Sequence, residues 1–150
     1  MRTLIRNAAI ATAVGALMAG TALAQAENDL PAVHRSGSVE YLSGGIGQSQ
    51  SKAIENASRH WPLTLEFAVQ DKPHADFAAN VRVMVRDAHG HTALQATSGG
   101  PFLLAKLAPG DYAVTATLAG KTLHEKVLVK GDQPAKALFV WPTGTDGNRS

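Results

Sequence analysis

From Leu63 onward, apolar side chains recur at every second position, and this period leaves few folds open to the chain. Leu63, Leu65, Phe67 and Val69 alternate with Thr64, Glu66 and Gln70, and Val81, Val83 and Val85 alternate with Arg82, Met84 and Arg86. Such alternation describes strands with one wet face and one buried face. Turn signals punctuate it at Asp87-Ala88-His89-Gly90, Ser98-Gly99-Gly100-Pro101, Ala108-Pro109-Gly110-Asp111, Ala119-Gly120-Lys121 and Gly131-Asp132. The result is about seven short strands with a turn roughly every 8–12 residues, the spacing of a β-sandwich. Expected core faces are Leu63/Leu65/Phe67, Val81/Val83/Val85, Leu103/Leu107, Tyr112/Val114 and Leu138/Val140. A sheet with one such face must bury it, and a second sheet is the economical cover. The fold class is therefore all-β: an antiparallel Greek-key sandwich over residues 62–141, with one short N-terminal helix.

Ahead of the sandwich, the period changes. Gln25 to Ser38 is polar, carries Pro31 and shows no repeat, so residues 25–37 read as a flexible lead. Residues 38–61 read as a short strand, a glycine-rich turn and a helix. Ser38 to Leu42 alternates, and Ser43-Gly44-Gly45-Ile46-Gly47 follows it. From Gln48 to His60, Ala53, Ile54 and Ala57 fall on one helical stripe, with Ser49 or Ser51 as the expected cap and Pro62 as the stop.

The first 24 residues read as a secretory signal peptide. Arg2 and Arg6 make the positive start, Ala8 to Gly20 is uncharged and apolar, and Ala22-Leu23-Ala24 is a small–x–small cleavage pattern. Ala24-Gln25-Ala26 is a second option. The apolar stretch is shorter than the roughly 20 residues a membrane span needs, so contact with the membrane is expected only through the transient signal. The expected location is the periplasm.

Charge then excludes several partners. The chain has 14 Lys+Arg against 12 Asp+Glu, and removing Arg2 and Arg6 leaves 12 against 12. No basic stripe remains to suggest nucleic acid or an anionic membrane surface. With no cysteine, thiol catalysis and Cys-type metal sites are excluded, and the domain must rest on its core rather than on disulfides. Residues 142–150 read as a polar tail.

The cadence from Val81 to Lys121 resembles the carboxypeptidase regulatory-like (transthyretin-like) domain. The residues that carry the likeness are Val81 to Asp87, Gly90, Thr97, Gly100, Phe102, Leu103 and Leu107, then Pro109-Gly110-Asp111-Tyr112, Val114 and Gly120. The Leu107–Tyr112 element is the most specific part. Tyr41 to Gly47 ahead of a helix is also similar to small periplasmic proteins of proteobacteria that carry this domain. The resemblance implies a transthyretin (prealbumin)-like sandwich and a non-catalytic role. Hydroxyisourate hydrolases on the same fold end in Tyr-Arg-Gly-Ser, which Asp146-Gly147-Asn148-Arg149-Ser150 does not reproduce, so that activity is not carried over.

Chemistry-bearing patterns are few. His89-Gly90-His91 on a hairpin tip is the strongest metal pattern, with His74 and Asp76 as company, but a metal site needs a third ligand that spacing does not supply. Gly44-Gly45-Ile46-Gly47 before a helix lacks the Lys-Ser/Thr of a phosphate loop, and no G-x-S-x-G elbow occurs. Trp61 and Trp141 could stack a sugar, yet each abuts a proline at an element boundary and is expected to close an end of the core. The expected function is a non-catalytic periplasmic interaction module without a cofactor, its partner another periplasmic or envelope protein. The expected partner surface is Tyr41, Gly44, Gly45, Ile46 and Gly47. The alternative is a metal or small-ligand binder, carbohydrate included, with His89 and His91 as the metal-ligand candidates.

Overall fold

The computed structural model describes residues 29–70 and 78–145 of the chain. The signal segment with its Ala24 and Ala26 cleavage options, His74, Asp76 and the tail from residue 146 lie outside the described residues. Among these residues the elements run β1 (His34–Ser36), β2 (Val39–Gly44), α1 (Gln48–Ser58), β3 (Leu63–Val69), β4 (Arg82–Arg86) and β5 (Thr92–Thr97). Then come β6 (Phe102–Ala105), β7 (Gly110–Leu118), β8 (Lys121–Val129) and β9 (Ala135–Trp141).

The strands form two sheets, ordered β1-β2-β6-β3-β9 and β5-β4-β7-β8. Their inner faces meet in one core that includes Leu63, Leu65, Phe67, Val83, Val85, Leu103, Val114, Phe139 and Trp141. The molecule is therefore an all-β sandwich with one short helix. Two links close its open sides. The Gln95 N–H of edge strand β5 donates to Ser36 Oγ on edge strand β1 at 3.1 Å, and Trp141 Nε1 on β9 donates to the Lys121 carbonyl on β8 at 2.9 Å. Edges tied in this way are poor templates for stray strand pairing.

Four expectations are corrected. First, the lead is not structureless throughout, because His34–Ser36 pairs antiparallel with β2 through Arg35↔Glu40 and Ser36↔Val39. Second, β2 is an internal strand of the larger sheet, so residues 38–61 are part of the sandwich rather than an appendage. Third, one pairing is parallel: β3 runs beside β9 from Leu63↔Ala135 to Val69↔Trp141. The chain builds the whole second sheet between these two strands, which supplies the long connection a parallel pair needs. Fourth, Leu138 and Val140 face outward, while Phe139 and Trp141 are buried. A strand in which five successive residues are apolar has no unique phase, and the larger aromatic pair removes more area from water.

The outer face of the five-stranded sheet is half covered. Leu42, Phe102 and Leu104 point away from the main core and, with Ile54 and Trp61, form a second, smaller core under α1. All four residues of β6 are buried as a result. A strand covered on both faces reads as a continuous apolar run, not as alternation.

Tyr112 ties the β6–β7 turn to the sandwich. Its ring is buried, its hydroxyl donates to the Ala108 carbonyl at 2.6 Å, and burial raises its pKa above the usual 10.0, the Asp87 charge adding to the effect. A tyrosine hydroxyl reaching back a few residues is a recurrent tie in such folds. Tyr112→Phe is expected to lower stability by about 1 kcal/mol with the fold unchanged, read from chemical denaturation at pH 7.

Candidate functional site

The segment expected to meet a partner begins on β2 and ends at the start of α1. Gly44 is the last residue of the strand, opposite Phe102. A Cβ there would lie 2.5 Å from Gln50 Oε1 and 2.8 Å from Pro31 Cγ. Gly45 has φ +107°, and its Cβ would meet Phe102 Cδ2 at 2.6 Å. Facing them, a Cβ on Gly100 would stand 2.5 Å from the Gly44 carbonyl oxygen. Gly100 thus lets two backbones touch, while Gly44 and Gly45 leave room for the side chains of Gln50, Pro31 and Phe102.

Polar bonds then fix the corner. The Gly45 N–H donates to Gln50 Oε1 at 2.7 Å, and Ser51 Oγ donates to the Gly45 carbonyl at 2.7 Å. Gly47 is the N-cap and has no side-chain bond, so Ser49 and Ser51 do not cap the helix as expected. Gln50, at the third helical position, instead reaches back past the cap in the manner of a capping box.

The expected partner residues are thus not gathered on one surface. Tyr41 packs half-buried against the main core with its ring 5.7 Å from that of His34. Gly44 and Gly45 are buried, whereas Ile46 is 67% exposed and Gly47 is open to solvent. Of the five, Ile46 alone presents an exposed side chain. Gly100→Ala is expected to destabilise the protein by about 2 kcal/mol or more through backbone collision, while Ile46→Ser leaves the melting temperature within a degree or so. Thermal unfolding of both variants reads the contrast.

The histidines stand on the β4–β5 hairpin. Asp87 N–H donates to the His91 carbonyl at 2.9 Å, and Gly90 takes φ +85° at the tip. The Asp87 carboxylate closes the turn by accepting the N–H groups of His89 and His91, both at 2.9 Å from Oδ1. Its pKa is lowered below the ordinary 3.8, first by the His91 N–H and, against an opposing effect of desolvation, by the His89 N–H and the charges of the two histidines. The imidazoles of His89 and His91 have ring centroids 6.2 Å apart, and His91 Nδ1 is 3.8 Å from Asp87 Oδ2. Among the described residues, no group of three His, Asp or Glu is placed to hold a metal ion. His74 and Asp76 lie outside the described residues.

Because the folded carboxyl has the lower pKa, its contribution to stability is present above pH 3.8 and is lost as pH falls through the folded value. Asp87→Ala is therefore expected to be less stable than wild type at pH 6, with the gap closing at pH 2.5. Urea titrations at the two pH values measure it.

Neither tryptophan offers an open face to a sugar. Trp141 is wholly inside the main core, and Trp61 is buried under the helix with Lys106 Nζ 4.9 Å from its ring centre. No helix among the described residues is long and apolar enough to cross a membrane.

Neither a protein-family model nor a curated protein matches the chain. The site must therefore be weighed on its own chemistry. An exposed apolar pair lies on the sheet face that α1 half covers, at residues whose sequence pattern pointed to the core. Leu138 is 51% exposed and Val140 is 44% exposed, next to each other on the outer face of β9. In register, Gly44, Phe102, Glu66 and Leu138 form one row across the sheet. The helix covers the first half of that row and leaves the second half open. No periodicity could have flagged this shelf, because the same period had assigned it to the interior.

Proposed function

We propose that this protein is an exported, non-catalytic interaction module of the periplasm that docks another envelope protein against the outer face of its five-stranded sheet. The observation that carries the reading is the half-covered face: α1 buries Leu42, Phe102 and Leu104, and Leu138 and Val140 continue the same surface uncovered. A partner segment laid beside α1 would bury them as the helix buries its half. The Lys136–Glu66 ion pair, 3.5 Å apart, borders the shelf and supplies a polar rim. Export rests on Arg2, Arg6, the uncharged Ala8–Gly20 stretch and the Ala22-Leu23-Ala24 pattern. The Leu107–Tyr112 resemblance to carboxypeptidase regulatory-like domains supports a transthyretin-like Greek-key arrangement and a binding role without catalysis.

The test uses the full chain in a Gram-negative periplasm with a photo-crosslinking residue at Val140 or, as control, at Thr92 on the other sheet. A discrete heavier adduct from position 140 alone is expected, and its loss on Leu138→Lys with an unchanged melting temperature. Equal adducts from both positions, or none from position 140, would sink the shelf as the docking surface. The same fractionated material should carry an N-terminus after Ala24 or Ala26, and retention of residues 1–24 in the cytoplasm would end the exported reading.

A further inference from the structure

The second sheet has an outer face of a different kind. Strand pairing brings Arg82, Arg86, His124 and Lys126 onto it from β4 and β8, all exposed. Thr97, Thr115, Thr117 and Thr122 lie between them, and Gln95 adds an amide. In the first row Thr97, Arg82, Thr117 and Thr122 stand in register, and the hydroxyls of Thr117 and Thr122 are 2.7 Å apart. The next row is Gln95, Met84, Thr115 and His124, and the third is Thr92, Arg86, Ala113 and Lys126.

No carboxylate occupies these three rows. Asp111, opposite Leu128, comes one row further on, and Asp87 follows Arg86 at the same end. The contrast with the other sheet is sharp. There Glu40 lies 3.2 Å from Arg35 and 3.4 Å from Lys106, and Glu66 holds Lys136, so each of these cations has an acidic partner. Among the described residues, Arg82, Arg86 and Lys126 have no acidic partner. No described element covers this face, since α1 packs on the opposite sheet.

From this lattice we infer that the outer face of the β5-β4-β7-β8 sheet binds a linear acidic polysaccharide, one that carries carboxylates at intervals along a hydroxyl-rich chain. Arg82 and Arg86 are four residues apart on one strand, roughly 13 Å, and Arg86 and Lys126 are two strands apart, roughly 10 Å. Cations spread over these backbone spacings match a ligand that repeats its charge along its length. The threonine hydroxyls and the Gln95 amide both donate and accept, which suits sugar hydroxyls between the charges. The face lacks the aromatic platforms on which single-stranded nucleic acid stacks its bases. Within the three rows it also lacks the buried aromatic or aliphatic centre expected of a protein interface: Met84 is their one large apolar side chain, and the exposed Leu128 stands a row further on, opposite Asp111. The face is opposite the Leu138–Val140 shelf, so this inference and the docking proposal stand or fall separately.

Isothermal titration of the mature protein with oligogalacturonate at low salt tests it, with dextran as the neutral control. Arg82→Gln, Arg86→Gln and Lys126→Gln combined should weaken binding at least tenfold. Lys52→Gln, Lys130→Gln and Lys136→Gln combined, which remove the same charge elsewhere, should weaken it less than threefold. Binding should vanish in 1 M NaCl, where charges beyond about 3 Å are screened. If the first triple variant melts early, amide exchange on wild type replaces it, with protection by oligogalacturonate expected on β4, β7 and β8 and not on β2 or β6. Equal loss in both triple variants, no measurable uronate binding, or equal binding of dextran overturns the inference. So does equal or tighter binding of polyglutamate or single-stranded DNA, which would assign the face to a protein or a nucleic acid instead.

Discussion

The close passage of the β2 end over the turn before β6 sets the terms for the rest of the molecule. Gly44 and Gly100 lie so near that a Cβ on Gly100 would stand 2.5 Å from the Gly44 carbonyl oxygen. That approach holds β2 in the sheet beside β6 and starts α1 at a height from which it falls back across the same sheet. Two further contacts depend on it. Ser43 Oγ donates to the Phe102 carbonyl at 2.7 Å and accepts the Gly99 N–H at 2.9 Å, stitching the strand end to the turn. Phe102 and Leu104 then meet Ile54 and Trp61, and the second core closes. A side chain at position 100 would push this corner apart and expose both halves of it.

With α1 committed to the five-stranded sheet, no element among the described residues covers the outer face of the other sheet. This asymmetry explains where polar residues can be tolerated. On the helix side, outward cations must coexist with apolar neighbours and are paired with Glu40 and Glu66. On the bare side, Arg82, Arg86 and Lys126 stay hydrated and need no partner to offset burial. The sandwich thus separates its two surfaces chemically: one partly apolar with ion-paired cations, the other hydroxylated with unpaired ones.

How much of this was legible in the sequence depends on whether a residue's role is local. The β4 and β7 strands were legible because Val83, Val85 and Val114 alternate with polar neighbours, and one phase buries them. The final strand was legible as a strand but not in phase, since Ala137 to Trp141 are all apolar and only the competition between Phe139/Trp141 and Leu138/Val140 decides it. Strand β1 was not legible, because three polar residues acquire their conformation from pairing with β2 and from the Gln95–Ser36 bond, both long-range. At the candidate site, the glycine cluster stood out in the sequence, but its meaning did not. A buried glycine at a backbone crossing and an exposed one in a flexible loop look alike in one dimension.

The cationic face is the clearest case of a surface made by topology alone. Arg82 and Lys126 are separated by most of the second sheet in sequence, and no window of the chain holds a basic run. The balance of 12 Lys+Arg against 12 Asp+Glu left without Arg2 and Arg6 also gave no hint, because it sums over surfaces of different charge. Long-range attraction depends on the local field rather than on that average. Three cations spread over two β-strands, with the acids displaced to one end, would steer an anionic chain to lie across the strands rather than along the acidic end at Asp87 and Asp111. Thr side chains then add hydrogen bonds at little entropic cost, because cross-strand neighbours and stiff β-branched rotamers hold them in place. A rigid sheet can therefore select a polymer by the spacing of its charges, without a cleft.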